Sequence, residues 1–238
     1  MTKELLYEYR ESLMDNNAPA TVNLRLNAVH RWLRMQGYNL KIKTVRQEQR
    51  SYLDNVITMN DYRYLLTCLA RDEVWLLYVF VRLLAVTGLR ISEMMQVRYD
   101  HLAVGYIDLV HTKNNRYRRV FFPEKVCEEV LELLSRDDAR RQFPEGFCLF
   151  IRDNQRPETA IRYYQNRLYR CGAKYCLDKN VLHPHSFRHF FAKNFLSHNT
   201  DIVLLADLLG HSKIETTRIY LRQTRSEQKE MINRVVDW

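Results

Sequence analysis

Arg90 directly follows Thr87-Gly88-Leu89 at the end of an apolar run, and Ile91-Ser92-Glu93 restarts a helical pattern after it. An arginine held at such a joint, with Glu93 near enough to orient it, presents a rigid fork suited to a phosphate; the commoner alternative is a snorkelling surface arginine. Further on, His183-Pro184-His185-Ser186-Phe187-Arg188-His189 combines a helix-starting proline with His185 and Arg188 one turn apart on one face. Neutral histidine exchanges a proton near pH 7 while arginine keeps its charge, so the pair suits an anionic transition state reached through proton transfer. Leu208-Leu209-Gly210-His211-Ser212 then leads through a Gly-His turn to a segment containing Tyr220. A tyrosine hydroxyl, with a free pKa of about 10, is a weak nucleophile unless cations stabilise its phenolate. Without them Tyr220 is one half-buried aromatic among 15 tyrosines.

Two rival constellations use the same stretch. Cys171 and Cys176 with His183 and His185 supply the two-cysteine, two-histidine set of a tetrahedral zinc site. The cysteine spacing is loose, however, and histidines two residues apart on a helix point away from each other. Residues 201–222 also read as a helix-turn-helix, with Asp201 to Leu209 as first helix, Gly210 as turn and Ser212 to Leu221 as recognition helix.

The elements that must position these residues follow from periodicity. Leu5, Tyr9 and Leu13, then Val22, Leu26, Val29 and Leu33, predict two helices broken at Asn16-Asn17-Ala18-Pro19, with a polar basic stretch after Gly37. The helix start at Thr58-Met59-Asn60-Asp61 places a domain boundary near residue 55, giving domains 1–55 and 56–238. Tyr62 to Leu69 and Val74 to Val97 read as helices, the second apolar almost all round and therefore central to a core. Tyr106 to Thr112 alternates with period two and Arg118 to Phe122 is extended, which predicts a hairpin with Lys113 at its tip. A lysine there can swing into or out of a site, whereas the arginines sit at helix ends where the backbone fixes them. Helical spacing resumes at Glu124 to Leu134, Ala160 to Arg170, Ser186 to Leu196, Asp201 to Leu209 and Arg225 to Val236. The expected fold class is mainly α with a small antiparallel β-sheet.

The 238 residues carry 37 Lys+Arg against 28 Asp+Glu, a formal charge of +9 that points to a polyanionic partner. The charge is clustered, with seven cations and one acid from Arg25 to Arg50 and again from Arg162 to Lys193. Two such runs favour nucleic-acid contact over a merely solvated face, and Arg31, Arg34, Lys41 and Lys43 are the candidate DNA-binding residues of the first. Five scattered cysteines make a poor disulfide framework and suit a reducing, cytoplasmic setting, nucleoid-associated in a bacterium. Val74 to Val86, the longest apolar stretch, contains Arg82 and is too short to span a bilayer, so no membrane partner is expected.

Taken in order, Thr87-Gly88-Leu89-Arg90-Ile91-Ser92-Glu93, Lys113, His185-Ser186-Phe187-Arg188-His189, Leu208-Leu209-Gly210-His211-Ser212 and Tyr220 resemble the tyrosine recombinases, the phage-integrase-type site-specific DNA recombinases. The likeness runs from about Thr58 to Trp238. It implies a tyrosine recombinase catalytic domain preceded by a helical DNA-binding domain that is short and looks truncated, since the family's clamp usually has four or more helices. It further implies that Arg90 and Arg188 clamp the scissile phosphate, with His211 as a third donor. Tyr220 attacks phosphorus to form a 3'-phosphotyrosine link, His185 assists proton movement and Lys113 protonates the leaving 5'-oxygen. The expected reaction proceeds through a Holliday junction without metal, ATP or cofactor. Expected partners are double-stranded DNA with paired recombination sites, a homotetramer with a dimer on each site, and accessory DNA-bending or directionality proteins. A C-terminal helix of about 224–238 is the expected oligomerisation element. The rival functions are a non-catalytic helix-turn-helix regulator and a type IB topoisomerase-like or resolvase enzyme.

Overall fold

The structure is a computed structural model that describes residues 2–46, 55–111, 116–135, 148–151, 155–211, 213–221, 229 and 232–236. The chain divides into two compact units, Met1–Ser51 and Tyr52–Trp238.

In the first unit α1 (Lys3–Met14) and α2 (Pro19–Met35) form the expected pair, and Pro19 stands at the start of α2, where its missing N–H costs nothing. Leu6 and Leu13 close over Val22, Leu26 and Leu33. The polar stretch that follows has no sequence periodicity strong enough to name, yet it is pinned to this pair. Ile42 is buried in the same core, its N–H donates to His30 Nε2 at 3.3 Å, and Asn23 brackets the Val45 peptide with bonds of 2.9 and 2.8 Å. Arg31, Arg34, Lys41 and Lys43 are all exposed.

The second unit is helical around a large apolar core with α3 (Met59–Arg71) and α4 (Trp75–Thr87) at its centre, and a smaller buried cluster joins Ala192, Leu205, Leu209 and Tyr220. Leu77, Phe80, Val81 and Leu84 of α4 are buried, and Phe80 stacks on Tyr164 at 4.3 Å between ring centroids. The helix expected to run to Val97 stops at Thr87. Gly88 adopts φ +61 and caps it, and the chain restarts as α5 (Ile91–Met94) and α6 (Tyr99–Val104). The joint read at Thr87-Gly88-Leu89-Arg90 is therefore present, and the apolar run to Val97 suggests a single helix only because the segments on both sides of Gly88 are buried in one core.

β1 (Tyr106–His111) and β2 (Arg116–Phe121) form the two-stranded antiparallel sheet, in the register Ile107 to Val120 and Leu109 to Arg118. The hairpin tip, including Lys113, lies outside the described residues. After it come α7 (Glu124–Ser135), α8 (Pro157–Lys174), α9 (Pro184–His198), α10 (Ile202–Leu209) and α11 (Ile214–Thr217), the last running into a 3-10 turn at Arg218–Leu221. Of the expected C-terminal helix, residues 232–235 are helical with Ile232 and Val235 exposed, and 222–228 lie outside the described residues. Cys68, Cys127 and Cys171 are buried free thiols, Cys148 is half-buried and Cys176 is exposed. No helix among the described residues is long and apolar enough to cross a membrane.

Gly88 is the joint on which the site depends. A Cβ there would meet Phe191 Cδ1 at 2.5 Å, in a backbone conformation that side chains resist. Gly88→Ala should therefore lower stability by about 1–2 kcal/mol from backbone conformation alone, with the clash adding to it. A thermal unfolding curve superimposable on wild type would show that this cap is not as described.

Candidate active site

Arg188 is the most deeply buried cation among the described residues, 1% exposed, and it reaches the pocket from the first turns of α9. The sequence starts that helix firmly: Pro184 occupies its first position, and His183 Nδ1 caps it by accepting the Ser186 N–H at 3.1 Å. Arg188 Nη1 donates to the Gly88 carbonyl at 2.7 Å and Nη2 to the Leu209 carbonyl at 2.6 Å. Those oxygens terminate α4 and α10, so the negative ends of two helix dipoles face the guanidinium. Burial, with Arg90 nearby, lowers its pKa to about 10, and it remains a full cation at neutral pH.

Arg90 is the N-cap residue of α5 and its side chain is 36% exposed, the accessible partner to buried Arg188. Glu93 fixes it from both sides. Its Oε2 accepts the Arg90 backbone N–H at 2.7 Å, and its Oε1 takes a guanidinium hydrogen bond at 2.9 Å. Burial alone would raise the Glu93 pKa, but Arg118, followed by the Arg90 amide and guanidinium, holds it below the usual carboxylate range. Arg90 Nη2 also points to the Gly210 carbonyl at 3.4 Å, which links the α5 joint to the turn before His211.

His211 Nε2 lies 3.0 Å from Arg188 Nη2, and Nδ1 lies 2.8 Å from Thr217 Oγ1. Arginine can only donate, so Nε2 is the acceptor and Nδ1 carries the hydrogen given to Thr217. Burial first, then Arg188, Arg90 and Arg118, lowers His211 to about 4, leaving it neutral near pH 7. Tyr220 sits in the 3-10 turn and is 4% exposed, with its ring 6.3 Å from that of His211 and 5.3 Å from that of His189. Burial raises its pKa, while the charge of Arg188 and an Arg188 hydrogen bond oppose that rise. His185 packs edge-on against His189 at 4.2 Å. His185 is exposed overall, yet partial desolvation, and then the charge of Arg188, lowers its pKa below the ordinary histidine value.

Five of the six expected site residues thus converge in one pocket, with the nucleophile candidate supplied by the same chain. Lys113 lies outside the described residues. Arg31, Arg34, Lys41 and Lys43 belong to the other unit. Neither rival reading of this stretch is supported. The segment read as a recognition helix is a four-residue helix plus a 3-10 turn, with Thr217 and Tyr220 buried against α9, so it offers no continuous exposed face to a groove. No three metal-ligand side chains converge among the described residues, and His183 Nδ1 is occupied as a helix cap.

Two pocket residues were not singled out as site candidates. His189 is buried with Nδ1 unpartnered, and its pKa is pushed down to about 3, by burial first and then by His185. Arg118 was counted only as part of an extended run. Strand alternation could have found it, because β2 turns Arg118 and Val120 inward while Tyr117 and Phe121 are exposed. A charged residue at an inward strand position is itself a functional signal.

The depressed histidines carry a pH consequence. His189 and His211 stay neutral in the fold down to about 3 and 4, while in the unfolded chain they take up protons below about 6.5. The unfolded state binds more protons in that window, so folding stability must fall as pH drops from 6.5 towards 4. His189→Phe should lose less stability than wild type between pH 7 and 4.5 in denaturant titrations; parallel pH profiles would contradict the depressed state of His189.

Comparison with known proteins places this geometry. The family model described as Phage integrase family matches residues 55–227. Tyrosine recombinase XerA of Pyrococcus furiosus is 25% identical over 223 residues, covering 90% of this chain and 73% of its own. Tyrosine recombinase XerD of Staphylococcus haemolyticus is 26% identical over 248 residues, covering 97% of this chain and 81% of its own. Among solved structures, the XerH site-specific recombinase bound to palindromic difH substrate superimposes with a TM-score of 0.73 at 18% identity, covering 98% of this chain and 70% of its own, and so shares the fold. With that family matched over most of its length, the chain belongs to the phage integrase family, the tyrosine-type site-specific recombinases.

Proposed function

We propose that this pocket cuts and rejoins double-stranded DNA by two transesterifications at one phosphodiester. The observation that carries the reading is Tyr220, buried beside Arg188 and flanked by His189 and His211, with Arg90 opening the same pocket to solvent. A phenol desolvated among guanidiniums is a poor nucleophile until it loses its proton, and the cations that stabilise its anion also stabilise the phosphorane-like transition state.

In the first step the Tyr220 oxygen bonds to phosphorus and the bond to the 5'-oxygen breaks. The phenol proton leaves through the histidine-lined pocket, with neutral His185 as the group that assists it. Lys113 gives a proton to the departing 5'-oxygen. Arg90 and Arg188 hold the non-bridging oxygens. His211 donates to the phosphate once an anion displaces the Arg188 contact, because Thr217 already accepts its Nδ1 hydrogen and protonation then falls on Nε2. The second step reverses the first, with the 5'-hydroxyl of a partner duplex as nucleophile, and exchange of both strand pairs proceeds through a Holliday junction. Paired sites imply a dimer on each and a tetramer across both, with the C-terminal segment as the linking element. Arg31, Arg34, Lys41 and Lys43 serve as phosphate contacts of the N-terminal unit, and their contribution falls with salt as counterions are released.

Tyr220→Phe should abolish every covalent protein–DNA adduct on denaturing gels while DNA binding persists. Arg188→Lys, which cannot reach both carbonyls and a phosphate together, should slow cleavage by about 10²-fold or more; adducts in the first variant or wild-type rates in the second would reject the assignment. Lys113→Ala should fail with an ordinary 5'-oxygen leaving group and recover with a 5'-thio leaving group, which needs no acid. Absence of recovery would move the general-acid role to another residue.

A further inference from the structure

Arg118 is a buried cation that the proposed chemistry does not use. Its side chain is 8% exposed and that of Glu93 4%, and Nη2 meets Glu93 Oε2 at 2.6 Å. Nη1 donates to the Leu208 carbonyl at 2.8 Å in the last turn of α10. Its aliphatic stem lies against Gly210, which adopts φ +64 and where a Cβ would come within 2.8 Å of Arg118 Cδ. Nε is buried without a hydrogen-bond partner. One guanidinium therefore reaches both the carboxylate that orients Arg90 and the helix end that delivers Gly210 and His211.

A buried arginine left with an unsatisfied N–H is costly for a strand whose inward position would otherwise take an apolar residue like its neighbours Leu109 and Val120. Its retention has a reason in geometry. Glu93 is shared between Arg90 and Arg118, so a shift of either guanidinium moves the common carboxylate. The Leu208 bond ties the same group to the turn whose Gly210 carbonyl faces Arg90 Nη2.

We propose that Arg118 is a positioning residue for strand cleavage: through Glu93 and the Leu208 carbonyl it fixes Arg90 and the Gly210-His211 turn at the spacing the scissile phosphate requires. The inference rests on the phosphate-clamp reading of Arg90. Arg118 itself touches no substrate in this scheme.

The test is a double-mutant cycle on the full chain, with single-turnover cleavage of nicked DNA carrying the target site as readout. Arg118→Met should slow cleavage by about tenfold to a hundredfold, with DNA retention close to wild type. Arg118→Lys, which keeps a charge beside Glu93, should recover part of that loss and guards against a folding defect in the methionine variant. Because Arg118 works partly through Arg90, adding Arg118→Met to Arg90→Ala should slow cleavage by a clearly smaller factor than Arg118→Met does in the wild-type chain, the remainder passing through the Gly210-His211 turn. A full multiplicative loss in the double variant, or a lysine variant as slow as the methionine one, would overturn the positioning role while leaving the clamp intact. Wild-type cleavage by Arg90→Ala alone would instead remove the clamp reading and the inference with it.

Discussion

The contact on which the pocket depends is a buried guanidinium held by main-chain carbonyls. Arg188 donates to Gly88 and Leu209, the terminal oxygens of two helices that approach from different parts of the sequence. Each helix end offers only a partial negative charge, so the cation is steadied without being neutralised. A carboxylate in the same place would compete with a phosphate for the charge; oriented peptide dipoles leave much of it available. Both helices must stop where they do for this to work. Each stops at a glycine in the left-handed region, Gly88 with Phe191 against it and Gly210 with Arg118 against it.

Around this centre the electrostatics separate into two kinds. Glu93 is ionised and shared by Arg90 and Arg118, which makes one face of the pocket a network of full charges. On the other face His185, His189 and His211 are held neutral by burial and by the arginines, and Tyr220 is held protonated by burial. The resting pocket thus stores its positive charge on guanidiniums, which do not titrate, and keeps its proton carriers uncharged. An entering phosphate changes that balance, since a negative charge near Nε2 of His211 favours the imidazolium that the arginines now disfavour.

Most of this was legible from residue order. Arg90, His185, Arg188, His211 and Tyr220 were singled out as a set by motif blocks that resemble the tyrosine recombinases, and the hairpin and the helix starting at Pro184 by periodicity and proline placement. What stayed hidden depended on tertiary facing. The joint at Gly88 stood out beside Arg90, yet the run to Val97 still read as one helix because both flanking segments are apolar and share one core. The segment 212–221 has the length of a recognition helix, and only its packing on α9 shows that Thr217 and Tyr220 face inward. Residues 40–45 lack a periodic signal because their order comes from Asn23 and His30, more than ten residues away in sequence. Arg118 escaped because its charge reads as exposed, although alternation puts it on the same strand face as buried Val120.

The anchoring of Arg188 has an evolutionary consequence. Its two partners are peptide oxygens, and no point substitution can delete a peptide oxygen; it can only displace one. Selection on this part of the site therefore acts on where two helices end, not on which side chains line them. Within each helix the buried positions, Phe80 and Leu84 among them, still require apolar residues of similar volume, but the contact to Arg188 asks only that a glycine close the end. The Glu93 network has no such protection, since a single codon change removes its shared carboxylate. Gly88, Gly210 and Glu93, none of which meets the phosphate, are accordingly as constrained as the side chains that do.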